Sequence, residues 1–159
     1  NKAIPQSKYG KTKLLAENIL INKLKNSPID LCIGRIFSFT DKKQKAPFVI
    51  PTIIKLIKSS KKIIVLKNLN HFRDFLSAKD IAKAINVMRK KKCSGIYNIG
   101  SGIKFSLKNI AQLISEKYNK KIKFLDSNRI TYLISDNRKI LRLNWKSAKF
   151  KNNLNYFYK

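Results

Sequence analysis

Acidic residues are scarce in this chain: eight Asp and Glu stand against 36 Lys and Arg in 159 residues, for a formal charge of +28. Cysteine (two), histidine (one) and glycine (five) are also few. Each shortage excludes something. Cys32 and Cys93 lie in apolar contexts and have no metal-ligand spacing with His71, so they read as small buried thiols, not as a disulfide or a zinc site. Glycine is too sparse for a phosphate-binding turn after any expected strand. Gly100-Ser101-Gly102 lacks the third glycine of a dinucleotide fingerprint before Ile103-Lys104-Phe105, and reads as a plain turn. No apolar run approaches the ~20 residues needed to cross a bilayer, and the first residues, with Pro5 and Lys8, have no apolar core of a signal peptide. The expectation is a cytoplasmic protein with no membrane partner.

What is abundant is lysine. Six of the cations are arginines (Arg35, Arg73, Arg89, Arg129, Arg138, Arg142), which leaves thirty lysines running from Lys2 to Lys159. A chain this basic must first be tested as a nucleic-acid binder. The lysines gather on no motif, and runs such as Lys90-Lys91-Lys92 fall where helices should end and complement the helix dipole. Together with the many Asn and Ile, they read as a compositional bias and a solvated surface, with no nucleic-acid partner. At 43% hydrophobic, the chain is long enough to bury a core.

Apolar positions Leu14, Leu15, Ile19, Leu20 and Leu24 recur at helical spacing and predict an amphipathic helix over Tyr9 to Leu24. Asn26-Ser27-Pro28 stops it. Ile29 to Phe39 then reads as one strand buried on both faces. A helix follows from Val49 to Ile57, a strand at Ile63 to Leu66, and another at Phe72 to Leu76. The next helix runs from about Lys79 to Lys91 with Ile81, Ala82, Ile85 and Met88 inward. Gly95 to Ile99 is a strand. Ser106 caps a helix through Leu107, Ile110, Ala111, Leu113 and Ile114, and Ile122 to Leu125 is a further strand. A short helix from Asn137 to Leu143, Trp145, and an amphipathic tail with Phe150, Leu154 and Phe157 close the chain. Strands and helices mix without internal repeats, which means α/β architecture.

Tyr9 and Lys13 stand four residues apart, hence on one face of one helical turn. A phenol that ionises near ~10 is a poor base at neutral pH, but a fixed cation beside it favours the phenolate and enables proton exchange with a substrate hydroxyl. The same spacing also arises by chance on many helices.

The string Tyr9-Gly10-Lys11-Thr12-Lys13-Leu14-Leu15-Ala16-Glu17 resembles the Tyr-x-x-x-Lys helix of extended short-chain dehydrogenases. Four further pieces follow in order: Arg35-Ile36-Phe37, Phe72-Arg73-Asp74-Phe75 with Asp80-Ile81-Ala82, Tyr97-Asn98-Ile99-Gly100-Ser101-Gly102, and Asp136 to Trp145. Together they resemble the NAD-dependent epimerase/dehydratase family, whose members modify nucleotide-diphosphate sugars. The resemblance implies the C-terminal part of a Rossmann-type domain, over residues 1–46, and a smaller α/β region over 47–159 that mainly binds the nucleotide sugar. It implies NAD or NADP as cofactor, with Tyr9, Lys13, Ile36 and Phe37 beside it. Tyr9 would be the acid/base and Lys13 its helper on the nicotinamide ribose. Ser38, Arg73 and Arg129 would bind substrate, the two arginines at its diphosphate. A homodimer through the Tyr9 helix is implied as well.

Two departures stand out. Phe37-Ser38-Phe39-Thr40-Asp41 has a Ser38 hydroxyl where the family usually carries an amide, and the glycine-rich cradle and catalytic Ser or Thr would lie upstream of Tyr9. The chain is therefore expected to be either a piece of a longer enzyme or a truncated product that cannot hold NAD alone. Alternatives are a non-catalytic sugar-nucleotide-binding remnant and a basic nucleic-acid-binding protein. For Arg73 the plain alternative is an ion pair with Asp74 or Asp80, and for Arg129 an ordinary surface position.

Overall fold

The computed structural model describes residues 3–59 and 63–148. The expected tail with Phe150, Leu154 and Phe157 lies outside them. The fold is mixed α/β, and its strand pairs are mostly parallel. Helix α1 (Lys8–Leu24) begins where the Ser7 hydroxyl accepts the Gly10 N–H at 3.0 Å, an N-cap that satisfies one of the orphan donors of the first turn. Strand β1 (Cys32–Ile36) pairs in parallel with β6 (Gly95–Ile99), and β2 (Ser38–Thr40) pairs in parallel with β5 (Phe75–Ser77). Between them lie α2 (Val49–Ser59), β3 (Ile64–Lys67), β4 (His71–Arg73) and α3 (Ala78–Lys90). The chain continues with β7 (Phe105–Ser106), α4 (Leu107–Lys117), β8 (Ile122–Leu125), β9 (Thr131–Leu133) and α5 (Arg138–Leu141).

Two expected strands are each split, and for one reason. Ile29 to Phe39 is β1 and β2 because the chain changes partner at Phe37, whose N–H donates to Ile99 O at 3.0 Å before Ser38 takes up pairing with Phe75. Phe72 to Leu76 is β4 and β5 because Asp74 is the second switch point. Its N–H donates to Leu133 O, after which β4, which pairs with β7 and β9, gives way to β5 on β2. The three-residue β9 and two-residue β7 are too short to carry a period in the sequence.

Two hydrophobic cores flank these junctions. Ile50, Ile53 and Ile57 of α2, Ile64 and Leu66 of β3, and Ile110 and Ile114 of α4 form one. Leu76, Ile81, Ala84, Met88, Ile99, Ile140 and Trp145 form the other. Cys32 and Cys93 pack against this second core as free thiols, half-buried where full burial was expected. Adjacent Phe75 and Leu76 point into opposite cores, as strand alternation requires. Each fully buried Ile or Leu contributes roughly 1.5–3 kcal/mol. On α3 the inward face is Ile81, Ala84 and Met88, while Ala82 and Ile85 are exposed, which corrects the expected stripe. The true face steps by three and four, and Ile85 falls off it. Leu113 is likewise exposed on α4, and the last helix spans only Arg138–Leu141. Helix α3 opens with a reciprocal cap: Ser77 Oγ accepts Asp80 N–H at 3.0 Å and donates to Asp80 Oδ2 at 2.7 Å.

Helix α1 differs from the rest. None of its residues is buried, and Leu15, Ile19, Leu20 and Ile21 are all exposed. Leu14 and Leu24 are half-buried against the β1 side, whereas Leu15, Ile19 and Leu20 stand open at spacings typical of a packed helix.

Candidate active site

The sheet and α1 meet at a cleft of about 810 Å³. Tyr9, Lys13 and Glu17 reach it from one helix face, since residues four apart stack along one side. Gly34, Arg35, Ile36, Phe37 and Ser38 reach it from the opposite wall, at the end of β1 and the start of β2. The Lys13 ammonium lies 5.5 Å from the centre of the Tyr9 ring, and Tyr9 is 73% exposed, so its phenol is open to a ligand in the cleft.

A fork holds the two walls in register. Arg35 Nε donates to Glu17 Oε1 at 3.0 Å and Oε2 at 3.1 Å, and Nη2 donates to Oε2 at 2.5 Å. This bidentate pair sets the rotation of α1 against β1, and the Glu17 hydrogen bond raises the Arg35 pKa further. Glu17 went unassigned in the sequence, although its position four residues after Lys13 places it on the cleft face.

Arg73 stands beside this cleft. Among the described residues it forms no ion pair with Asp74, Asp80 or any other acid. Its Nη1 donates to Phe72 O at 2.8 Å, Thr131 Oγ1 at 3.0 Å and Thr131 O at 3.3 Å. Burial without a compensating anion pushes its pKa down. Arg73 itself does not line the cleft, but Leu133, its register partner on β9, does. Arg129 is exposed and is not among the lining residues. The structure thus brings Tyr9, Lys13, Ile36, Phe37 and Ser38 together, sets Arg73 one strand away, and leaves Arg129 on the surface.

The Asp74 carboxylate is fully buried and points elsewhere. Oδ1 accepts from Ser101 N (2.7 Å) and Oγ (2.5 Å); Oδ2 accepts from Gly102 N (2.9 Å), Ser135 N (3.1 Å) and Ser135 Oγ (2.5 Å). One side chain therefore ties the β4–β5 junction to the turn after β6 and to the segment after β9. The turn read from Gly100-Ser101-Gly102 is the other half of this knot. A Cβ at Gly100 would overlap the Ser135 hydroxyl and Asp74 Oδ2.

Tyr9 and Lys13 thus share one wall of the cleft, and Arg73, which has no acid partner among the described residues, stands one strand away. A family model described as GDP-mannose 4,6 dehydratase matches residues 1–153. The chain belongs to this family. It is one of the NAD-dependent epimerase/dehydratase group of short-chain dehydrogenases. The chain is 27% identical over 111 residues to the dTDP-D-glucose 4,6-dehydratase of Dictyostelium discoideum, covering 69% of this chain and 26% of that protein. It is 26% identical over 152 residues to the dTDP-4-dehydro-6-deoxyglucose reductase of Escherichia coli, covering 90% and 48%. The fold superposes on RMD from Pseudomonas aeruginosa, solved with NADPH, with a TM-score of 0.85 at 18% identity, over 98% of this chain and 56% of that one. The chain thus spans between about a quarter and about half of these relatives' lengths.

The family implies a nicotinamide dinucleotide. The lining is chemically compatible with one end of it: a phenol and an ammonium stand on one wall, and Ile36, Phe37 and Ser38 on the other. The pyrophosphate end finds no glycine-rich turn in this sequence.

Proposed function

We propose that this chain supplies the catalytic helix and the sugar-nucleotide side of an NAD(P)-dependent enzyme that epimerises, dehydrates or reduces a nucleotide-diphosphate sugar. Tyr9 and Lys13 are its catalytic pair. The phenol oxygen of Tyr9 takes the proton of a sugar hydroxyl and later returns it. Lys13 stabilises negative charge on that oxygen as the proton moves and hydrogen-bonds the nicotinamide ribose. NAD(P), when bound, supplies hydride acceptance and donation. Ile36 and Phe37 form the wall beside the nicotinamide, and Ser38 meets the substrate. Arg73 grips the diphosphate with its planar fork, and Arg129 reaches the same group from the surface. Residues 1–46 act as the cofactor-side region and 47–159 mainly as the substrate side. The uncovered apolar residues of α1 support a homodimer through that helix, and the enzyme is read as cytoplasmic.

The observation that carries this reading is the half-buried Arg73, without an acid partner among the described residues, one strand from a cleft that Tyr9 and Lys13 share. Desolvating a cation without an anion is unfavourable unless a ligand brings one. The test uses the natural gene product with UDP-, dTDP- and GDP-hexoses and NAD or NADP. Tyr9→Phe abolishes turnover while nucleotide-sugar binding is retained, because the phenol oxygen acts only when a proton moves. Arg73→Ala weakens binding by about 1.5–3 kcal/mol, the range for losing a hydrogen bond to a charged group. Normal turnover in Tyr9→Phe would overturn the catalytic assignment.

A further inference from the structure

We propose that Thr131 and His71 are positioning residues of an anion subsite at Arg73, holding one edge of the guanidinium so that the other edge faces a diphosphate. The inference rests on the reading of Arg73 given above. It starts from the register of β4 and β9, which run parallel with His71 opposite Thr131 and Arg73 opposite Leu133. Residues two apart on a strand share a face, so His71, Thr131, Arg73 and Leu133 stand together on one side of this sheet, and Leu133 carries that side into the cleft.

The Thr131 hydroxyl joins the other two polar groups. Its oxygen is 3.0 Å from Arg73 Nη1 and 3.1 Å from His71 Nδ1. A guanidinium can only donate, so Oγ1 accepts from Arg73, and the same hydroxyl shares a hydrogen bond with His71 Nδ1. Thr131 Oγ1 therefore links the guanidinium to the imidazole, and the His71 tautomer sets which partner donates in the second bond.

The consequence falls on the free edge of Arg73. Nη1 is spent on three protein oxygens, none of them a carboxylate. Nε and Nη2 make no hydrogen bond to any described residue. Because the guanidinium is planar, fixing Nη1 fixes the plane, and the remaining donors present a preorganised pair to two oxygens of an anion. Asp74, the nearest carboxylate in sequence, cannot neutralise the group, since its oxygens are filled by Ser101, Gly102 and Ser135.

Calorimetric titration of the natural gene product with UDP and with dTDP tests this, using variants that delete each link and variants that keep it. Thr131→Val removes the hydroxyl at constant shape and His71→Leu removes the ring nitrogen; each weakens nucleoside-diphosphate binding by about 3- to 10-fold, the range for one lost hydrogen bond of ordinary strength. Thr131→Ser keeps the hydroxyl and His71→Asn places an amide oxygen near Nδ1; both bind to within about 2-fold of wild type. In an Arg73→Ala background Thr131→Val has no further effect, because a positioning role acts only through the group it positions. A purely structural role would weaken binding equally in both backgrounds, and that result overturns the proposal. Should Thr131→Val fail to fold, the His71→Leu and His71→Asn pair decides by the same contrast. If Arg73→Ala binds either nucleotide like wild type, the reading of Arg73 itself fails. If Arg73→Ala loses affinity but Thr131→Val and His71→Leu do not, only the positioning role falls.

Discussion

Replacing Asp74 by Asn is the sharpest test of how this fold is held together. The carboxylate receives five hydrogen bonds from two distant segments and is 0% exposed, so water cannot stand in for any of them. An asparagine keeps one acceptor oxygen and turns a donor toward the rest. If the amide nitrogen replaces Oδ2, the Ser135 hydroxyl can rotate to accept from it, and Gly102 N–H retains the Ser135 hydroxyl at 3.2 Å. The Ser135 N–H keeps nothing. If the nitrogen replaces Oδ1, the same argument strands the Ser101 N–H. Either way one buried amide is orphaned, at about 1–3 kcal/mol, and the charge-assisted bonds weaken to neutral ones. The expected loss is about 2–5 kcal/mol, read as a lower urea midpoint at unchanged slope. Asp74→Ala, which strands all the donors, is worse. A shift below about 1 kcal/mol for Asp74→Asn would refute the claim that these bonds form as a knot.

Other outcomes follow from the same structure. Gly100→Ala pushes a methyl group into the Ser135 hydroxyl and Asp74 Oδ2, so a destabilisation of about 1–3 kcal/mol by overpacking is expected in urea unfolding, and an unchanged midpoint for this variant would show the turn to be looser than drawn. The Asp136 carboxyl, held by the Arg138 side chain through a 2.8 Å and a 2.6 Å bond, has its pKa lowered to about 2. A depressed carboxyl stabilises above its ordinary value and loses that contribution as pH falls toward 2, so NMR titration should find Asp136 still ionised at pH 3, and Arg138→Ala, which leaves only the backbone N–H bond, should raise it toward the ordinary range.

Much of the fold is legible in the residues. The α1, α2 and α4 periods and the cap Ser106 mark their elements because each rests on local spacing, and the ordered pieces around Tyr9, Arg73 and Asp136 suffice to indicate the family. What stays hidden is set by distant partners. Nothing near Phe37 or Asp74 signals that a continuous apolar run changes strand partner there; the cause lies in Ile99 and Leu133, far along the chain. Ile85 looks inward by composition, yet only the packing of α3 shows that the face passes through Ala84 instead. The site divides the same way. Tyr9 and Lys13 are four apart and readable, whereas Thr131 and His71 are sixty apart and meet only through the β4–β9 register.

The parallel pairing of β1 with β6 also sets a timetable. Cys32 finds its partner at Gly95, some sixty residues later. On a ribosome adding ~5–20 residues per second, the edge of β1 that β6 will pair waits roughly 3–12 s for that partner. Such edges are where nascent chains pair with the wrong neighbour. The lysines scattered along the whole sequence carry like charge into every such encounter, which opposes the approach of two unfinished copies.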